Sequence, residues 1–381
     1  MTNGRPMIRR DFLASLARAG AASVALAVLP RWARAAAPTG MIERADWPEH
    51  WETTIGALGR SWITPNDRFF VRSHFPVPAV DAATWRLQVT GLVRAPLTLS
   101  LADLRAMPAT EAAHTLECAG NGRGRYELAS TSGTQWMYGA VGNARWSGVP
   151  LAAVLERAGL ATEAKHVWFE AADHAPLPQA PPFLRSIPLD KAMREVLLAD
   201  RMNGAALPQL HGAPLRAIVP GWFGMASAKW ITRVRVEAAP SDNHFMVKGY
   251  RYNYPGVDPA QAGPVEEMKV KSLITSPLAG ARVPAGTLGV HGFAWAGPAG
   301  VARVEVSSDG GASWRAAQFV GERADLAWRA WTADVSARAG ALTVMARATD
   351  GAGDVQPDAA KPNGGGYGNN SIHKVSVHVG A

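Results

Sequence analysis

"HTLECAGNGR", residues 114–123, holds Cys118, the only cysteine among 381 residues. The residues that follow it, Ala119, Gly120, Asn121, Gly122 and Arg123, are turn formers and a cation, not a packed strand. A free cysteine is ordinarily a small buried hydrophobe, and a polar loop punctuated by glycine suits that role poorly. Cationic surroundings favour the thiolate, which is the form that reacts and that binds metals. The loop therefore reads as the seat of a reactive or ligating thiol. A single cysteine also excludes an internal disulfide and a CxxCH haem-attachment motif.

The rest of the chain sets the context of that thiol. A length of 381 residues is long for one core, so two domains are expected. Composition is that of a globular protein, with 48% apolar and 18% charged residues. The net charge of +8 hints at an anionic partner, but residues 1–35 hold six arginines against one aspartate and so carry five of those charges. What remains is too small for a nucleic-acid argument, and no DNA- or RNA-binding motif occurs. Within residues 1–35, Arg9 and Arg10 precede Asp11, Phe12, Leu13 and a mild Ala/Val/Leu run that ends in Ala33-Arg34-Ala35. That pattern reads as a twin-arginine export signal with a small-x-small cleavage site, so a periplasmic mature protein without a membrane span is expected. A lone thiol in an oxidising compartment needs protection, and coordination to a metal would supply it.

Periodicity gives the coarse architecture. Residues 43–65 are polar and carry Trp47, Trp51 and Trp62, which reads as a surface-wrapping segment. "TWRLQVTG" (84–91) alternates Trp85, Leu87 and Val89 as a half-buried strand. Ser100 opens a short helix in "SLADLRAMP" and Pro108 closes it, while "PLAAVLERAGL" (150–160) has helical spacing with a glycine near its end. "HVWFEAAD" (166–173) and "LRAIVPG" (215–221) read as buried strands. Short helices alternate irregularly with strands, which predicts an α+β domain; no GxGxxG or GxxxxGK[ST] occurs, which disfavours a dinucleotide or P-loop enzyme. Beyond about Val265 the design changes. "VARVEVSSDGGASWRAA" (301–317) sets Val304 and Val306 on one face before an Asp309-Gly310-Gly311 turn and Trp314, and "LTVMARATDGAGDVQP" and "IHKVSVHV" repeat the scheme. Short strands at this spacing predict an all-β sandwich. The Tyr-, Pro- and Gly-rich "YRYNYPGVDPAQAGP" (250–264) reads as the linker, which gives a domain over 43–264 and a second over 265–381.

Taken together, these stretches resemble the sulfite oxidase family of molybdenum enzymes, in which a molybdopterin domain precedes an immunoglobulin-like dimerisation domain. "TLECAGNGR" resembles the family's cysteine loop, which implies that Cys118 is a molybdenum ligand. "FFVRSHFPVP" (69–78) resembles the segment that wraps the pterin, which implies cofactor contacts from Phe70, Val71, Arg72, Ser73 and His74. "WFEAAD" adds Asp173, and "HGAPLRAIVPGWFGMASAKW" (211–230) adds His211, Arg216, Ser227 and Lys229. The chemistry agrees. A soft thiolate suits a metal that also takes dithiolene sulfurs, and Arg216, Lys229 and His211 supply the cations and donors that a terminal phosphate requires.

On the substrate side the resemblance implies that Arg72, Arg123 and Trp136 hold an oxyanion beside the metal. Two departures stand out. "VLLADRMNG" (196–204) puts Asp200 where the family has a tyrosine, and glycines at 364–366 stand where a second arginine is expected. A carboxylate at Asp200 close to the metal would repel sulfite unless it pairs with Arg201 or a pocket arginine. The implied activity is transfer of an oxygen atom between water and a small sulfur substrate, with a homodimeric protein passing electrons to an external carrier such as a c-type cytochrome, since this chain carries no haem motif. Two alternatives stay open at this level: an S-oxide or N-oxide reductase, and a non-catalytic member of the family.

Overall fold

The computed structural model describes residues 37–126, 131–177 and 179–380. The twin-arginine pattern lies outside the described residues. The chain is rich in sheet and poor in helix; its longest described helix, Leu151–Ala158, has 8 residues.

Two five-stranded sheets build the first part. One orders Ala205–Ala206, Leu197–Met202, Val141–Pro150 and Thr110–Glu117, with Arg216–Ile218 also paired to Leu197–Met202. The other is mixed, in the order Leu97–Ser100, Arg86–Gly91, Ile231–Glu237, His166–Ala171 and Leu184–Pro188, with one parallel pair between Ile231–Glu237 and Arg86–Gly91. The expected alternation over 84–91 is present: Trp85, Leu87 and Val89 are buried while Arg86 and Gln88 are exposed. His166–Ala171 also alternates, burying Val167 and Phe169 only, so it is half-buried. Side chains from both sheets and from Leu151–Ala158 share one apolar core. The helix Leu101–Arg105 starts where Ser100 predicts, because Ser100 and Asp103 close a reciprocal capping box.

Residues 43–65 do not wrap the surface as their polarity suggests. Met41–Asp46 and Glu49–Thr53 pair as a hairpin that buries Trp51 and Glu52. The reason lies far along the chain. One Glu52 carboxylate oxygen accepts the backbone N–H groups of Met137, Tyr138 and Gly139 at 2.9, 2.6 and 2.8 Å. A buried carboxylate is tolerated when its lone pairs are filled this way.

After residue 270 the chain forms a four-stranded sheet and a five-stranded sheet. The first orders Lys271–Ser276, Gly286–Trp295, Arg329–Ala337 and Gln318–Val320. The second orders Arg282–Pro284, His373–Gly380, Gly340–Asp350, Val301–Ser307 and Arg315–Ala316. Both contribute to a common core that includes Ile274, Val290, Trp331, Val304, Val344 and Val377. Gly310 and Gly311, at φ 76° and 92°, make the turn predicted between Val306 and Trp314. A third apolar cluster joins the two parts: Ala119, Val141 and Phe223 pack with Leu273, Phe293 and Trp295.

Candidate active site

Cys118 sits where the strand Thr110–Glu117 ends, and backbone hydrogen bonds fix the turn behind it. Cys118 N donates to Ala140 O at 2.9 Å, Asn121 N to Cys118 O at 2.8 Å and Gly368 N to Ala119 O at 2.8 Å. Gly122 takes φ 88°, a conformation that favours glycine, and its carbonyl accepts Asn369 Nδ2 at 2.9 Å. Glu117, fully buried, anchors the loop from below. It accepts Asn121 Nδ2 at 2.9 Å, Lys271 Nζ at 2.5 Å and Trp295 Nε1 at 2.9 Å. The last two donors belong to the C-terminal sheets.

The thiol opens onto a cleft whose lining includes Phe70, Arg72, Ser73, His74, Asp173, His211, Arg216, Ser227, Lys229 and Tyr250. One end of it is a cluster of cations, with Arg216 buried and Lys229 and Arg72 half-buried. Lys229 Nζ donates to Ser73 Oγ at 2.8 Å and to Leu210 O at 3.0 Å. Arg216 donates to the carbonyls of His211 and Ser227 at 2.8 and 3.1 Å, and its Nε has no partner. Arg72 Nη1 is likewise buried and unpartnered. Gly212, at φ 114°, lets Lys229 and Arg216 approach; a Cβ there would lie 3.0 and 3.1 Å from their Cβ atoms. Burial pushes the Arg216 guanidinium down to about 9. Burial, then the neighbouring Arg216, holds Lys229 well below its usual range, with Asp173 opposing. His211 is lowered to about 3 by burial, and its Nε2 meets Asn66 O at 2.9 Å. Three cations thus face one carboxylate, Asp173, whose own value burial raises against the pull of Lys229. Desolvated cations with free donors call for an anion.

The other end is aromatic. His74 stacks on Phe183 with ring centres 3.9 Å apart, and its Nε2 meets the Tyr250 hydroxyl at 2.7 Å. Burial, then Arg72, holds His74 well below the usual imidazole range, and burial pushes the Tyr250 phenol up to about 12. Trp230 and Tyr250, both lining the cleft, adopt φ of 52° and 53°. Left-handed backbone at bulky residues is costly and gathers at functional sites.

Not every expected residue lines the cleft. The Val71 side chain is buried and its backbone pairs with Trp51 instead. Arg123 is packed into the wall: it donates to Gly365 O at 2.9 Å and Thr134 O at 3.0 Å. Trp136 is buried against His50, ring centres 5.7 Å apart. Asp200 is a clear correction. It lies in the strand Leu197–Met202 with its carboxylate 2.7 Å from Arg105 Nε, outside the cleft and paired with neither Arg201 nor a pocket arginine. The phenol in the cleft comes from Tyr250, in the segment read as a linker. Phe183 and Trp230 also went unforeseen; the one sequence signal for Tyr250 is the tyrosine-rich run around it.

The cleft pairs one soft thiol with a nest of anion-seeking cations, a donor set that would fit a metal cofactor bearing a phosphate. Among the described residues no group of three His, Cys, Asp or Glu gathers to hold a metal. Comparison with known proteins agrees. Residues 74–245 match the oxidoreductase molybdopterin binding domain, and residues 263–380 match the Mo-co oxidoreductase dimerisation domain. Mitochondrial sulfite oxidase of Mus musculus is 40% identical over 343 residues, spanning 84% of this chain and 62% of its own. Sulfite oxidase of Arabidopsis thaliana is 34% identical over 366 residues, covering 87% of this chain and 92% of its own. The sulfane dehydrogenase SoxCD from Paracoccus pantotrophus superposes with a TM-score of 0.79 at 31% identity, over 94% of this chain and 92% of the other. The chain belongs to the sulfite oxidase family of molybdopterin oxidoreductases, and its cofactor is molybdenum carried by molybdopterin. It spans about three fifths of the length of the mammalian relatives. Among the described residues no helix is long and apolar enough to cross a membrane.

Proposed function

We propose that this protein oxidises sulfite or a related sulfur compound, transferring an oxygen atom that comes from water. Two electrons and two protons leave for each substrate oxidised, and the electrons pass to an external one-electron carrier such as a c-type cytochrome. The observation that carries the reading is the convergence of Cys118 with the partnerless donors of Arg72 and Arg216 on one cleft. In this reading Cys118 holds the metal. Arg216, Lys229, Ser227, Ser73 and His211 take the cofactor's phosphate end, while Phe70, His74 and Asp173 flank its ring system. When bound, the molybdenum group supplies the oxygen-atom exchange and accepts the electron pair. Arg72 Nη1 then orients an anionic substrate, and the Tyr250 phenol, kept protonated by burial, holds a proton at its hydroxyl beside it. Arg123 and Trp136 support the cysteine loop from behind.

The two domains of 43–264 and 265–381, the second an immunoglobulin-like sandwich, form a homodimer through the second. Residues 1–35 direct export of the folded protein to the periplasm. The test is elemental analysis joined to kinetics. Purified protein should carry about one molybdenum per chain and reduce cytochrome c with sulfite. A molybdenum-loaded enzyme that turns over neither sulfite nor any other sulfur compound would refute the reading.

A further inference from the structure

The glycines at 364–366 leave no cation where the family is expected to have one, and the structure gives the reason. A Cβ at Gly365 would lie 2.2 Å from the Tyr367 ring, and one at Gly366 would lie 2.6 Å from Arg123 Cγ. With Tyr367 and Arg123 filling that space, an arginine has no room at either position. Tyr367 in turn stacks on Tyr250, ring centres 5.2 Å apart. A second guanidinium, besides Arg123 over Tyr367, lies against this aromatic pair. Arg185, in the strand Leu184–Pro188, is 3% exposed, and its guanidinium carbon lies 5.3 Å from the Tyr250 ring centre. One nitrogen donates to Phe245 O; Nε is buried without a partner, and no carboxylate pairs with Arg185 among the described residues. Glu266 acts on it only at longer range. Tyr250, which it faces, and His74 and Phe183, packed beside that ring, all line the cleft.

We infer that Arg185, on the strand Leu184–Pro188, is a specificity-determining residue that stands in for the cation absent at the glycines 364–366, and so sets the preference of the cleft for oxyanions. It does not touch the ligand. It acts across Tyr250, adding positive potential to the aromatic end and holding the phenol ring by a cation–π contact. A buried guanidinium with a spare donor and no paired carboxylate is expensive to keep, and an anion bound beyond Tyr250 offsets that cost. The inference rests on reading the cleft as a sulfur-oxyanion site. For two charges on the order of 10 Å apart at an effective dielectric of about 20, one charge changes the affinity for a monoanion by roughly tenfold and for a dianion such as sulfate by about a hundredfold.

The experiment compares Arg185→Gln with Arg185→Lys in the holoenzyme, since Gln keeps a donor for Phe245 O while only Lys keeps the charge. Sulfate, a non-reacting oxyanion, is titrated calorimetrically, and sulfite kinetics are run beside it. Arg185→Gln should weaken sulfate binding about a hundredfold and raise KM for sulfite at least about tenfold, with kcat within about twofold. Arg185→Lys should stay within threefold of the parent in both. A threefold or smaller effect of Gln, a Lys variant as weak as Gln, or a parent enzyme that binds no sulfate overturns the inference. An enzyme that binds sulfate in this charge-dependent way yet oxidises no sulfur compound would instead sink the proposed function and leave Arg185 in place.

Discussion

Replacing Lys271 by methionine isolates the contact through which the C-terminal sheets reach the cysteine loop. Lys271 and Glu117 form an ion pair at 2.5 Å, with side chains 10% and 0% exposed. Methionine keeps most of the volume and removes the charge. Glu117 would then retain only Asn121 Nδ2 and Trp295 Nε1 as donors, at 2.9 Å each. Removing one partner of a buried pair costs about 3–5 kcal/mol, because a desolvated charge is left behind. At about 2 °C per kcal/mol for a domain of this size, the melting temperature should fall by at least roughly 6 °C. Thermal unfolding followed by circular dichroism measures it, alongside molybdenum content, which should also fall because Glu117 adjoins Cys118. The double variant Lys271→Met with Glu117→Gln removes both charges and should recover most of the loss, since neutral replacements for a buried pair are often tolerated. A single variant within 1 kcal/mol of the parent, or a double variant as unstable as the single, would refute the claim that charge pairing holds this junction.

Cys118→Ser should abolish turnover and lower molybdenum content, because a hydroxyl replaces a soft thiolate; elemental analysis and sulfite kinetics check both. Asp200→Ala should leave KM for sulfite within twofold and cost on the order of 1 kcal/mol in stability, since its partner Arg105 is half exposed and lies away from the cleft. His373 is lowered to about 3, first by burial and then by Arg125, and its Nδ1 accepts Ile274 N–H at 3.0 Å. The unfolded chain therefore binds the proton more readily, and stability is lost as pH falls from about 6.5 toward 3. The loss from this group is about 2 kcal/mol by pH 5; urea unfolding of His373→Gln should show a correspondingly shallower pH dependence. Light scattering at micromolar concentration should report a dimer of the loaded protein, and a monomer would contradict assembly through the C-terminal domain.

How far the sequence reaches depends on how local each cause is. The capping box of Ser100 and Asp103, the alternation of Trp85, Leu87 and Val89, and the glycine turn after Val306 all act within a few residues, and each is readable in the chain. The cysteine loop is readable for the same reason, since Gly122 must supply a positive φ beside Cys118. What escaped notice depends on partners remote in sequence. Glu52 looks like a surface carboxylate until the N–H groups of residues 137–139 are seen to fill it. Asp200 looks like a charge beside the metal, yet Arg105, in a helix 95 residues earlier, draws it outward. Tyr250 carries the signature of a linker because its neighbours are Pro, Gly and Tyr, but its strained backbone and its bond to His74, 176 residues away, place it in the cleft. The glycines at 365 and 366 look like a lost arginine. They are instead the space that Tyr367 and Arg123 require, and Arg185, buried against Tyr250, is the further cation that the fold brings to that end of the cleft.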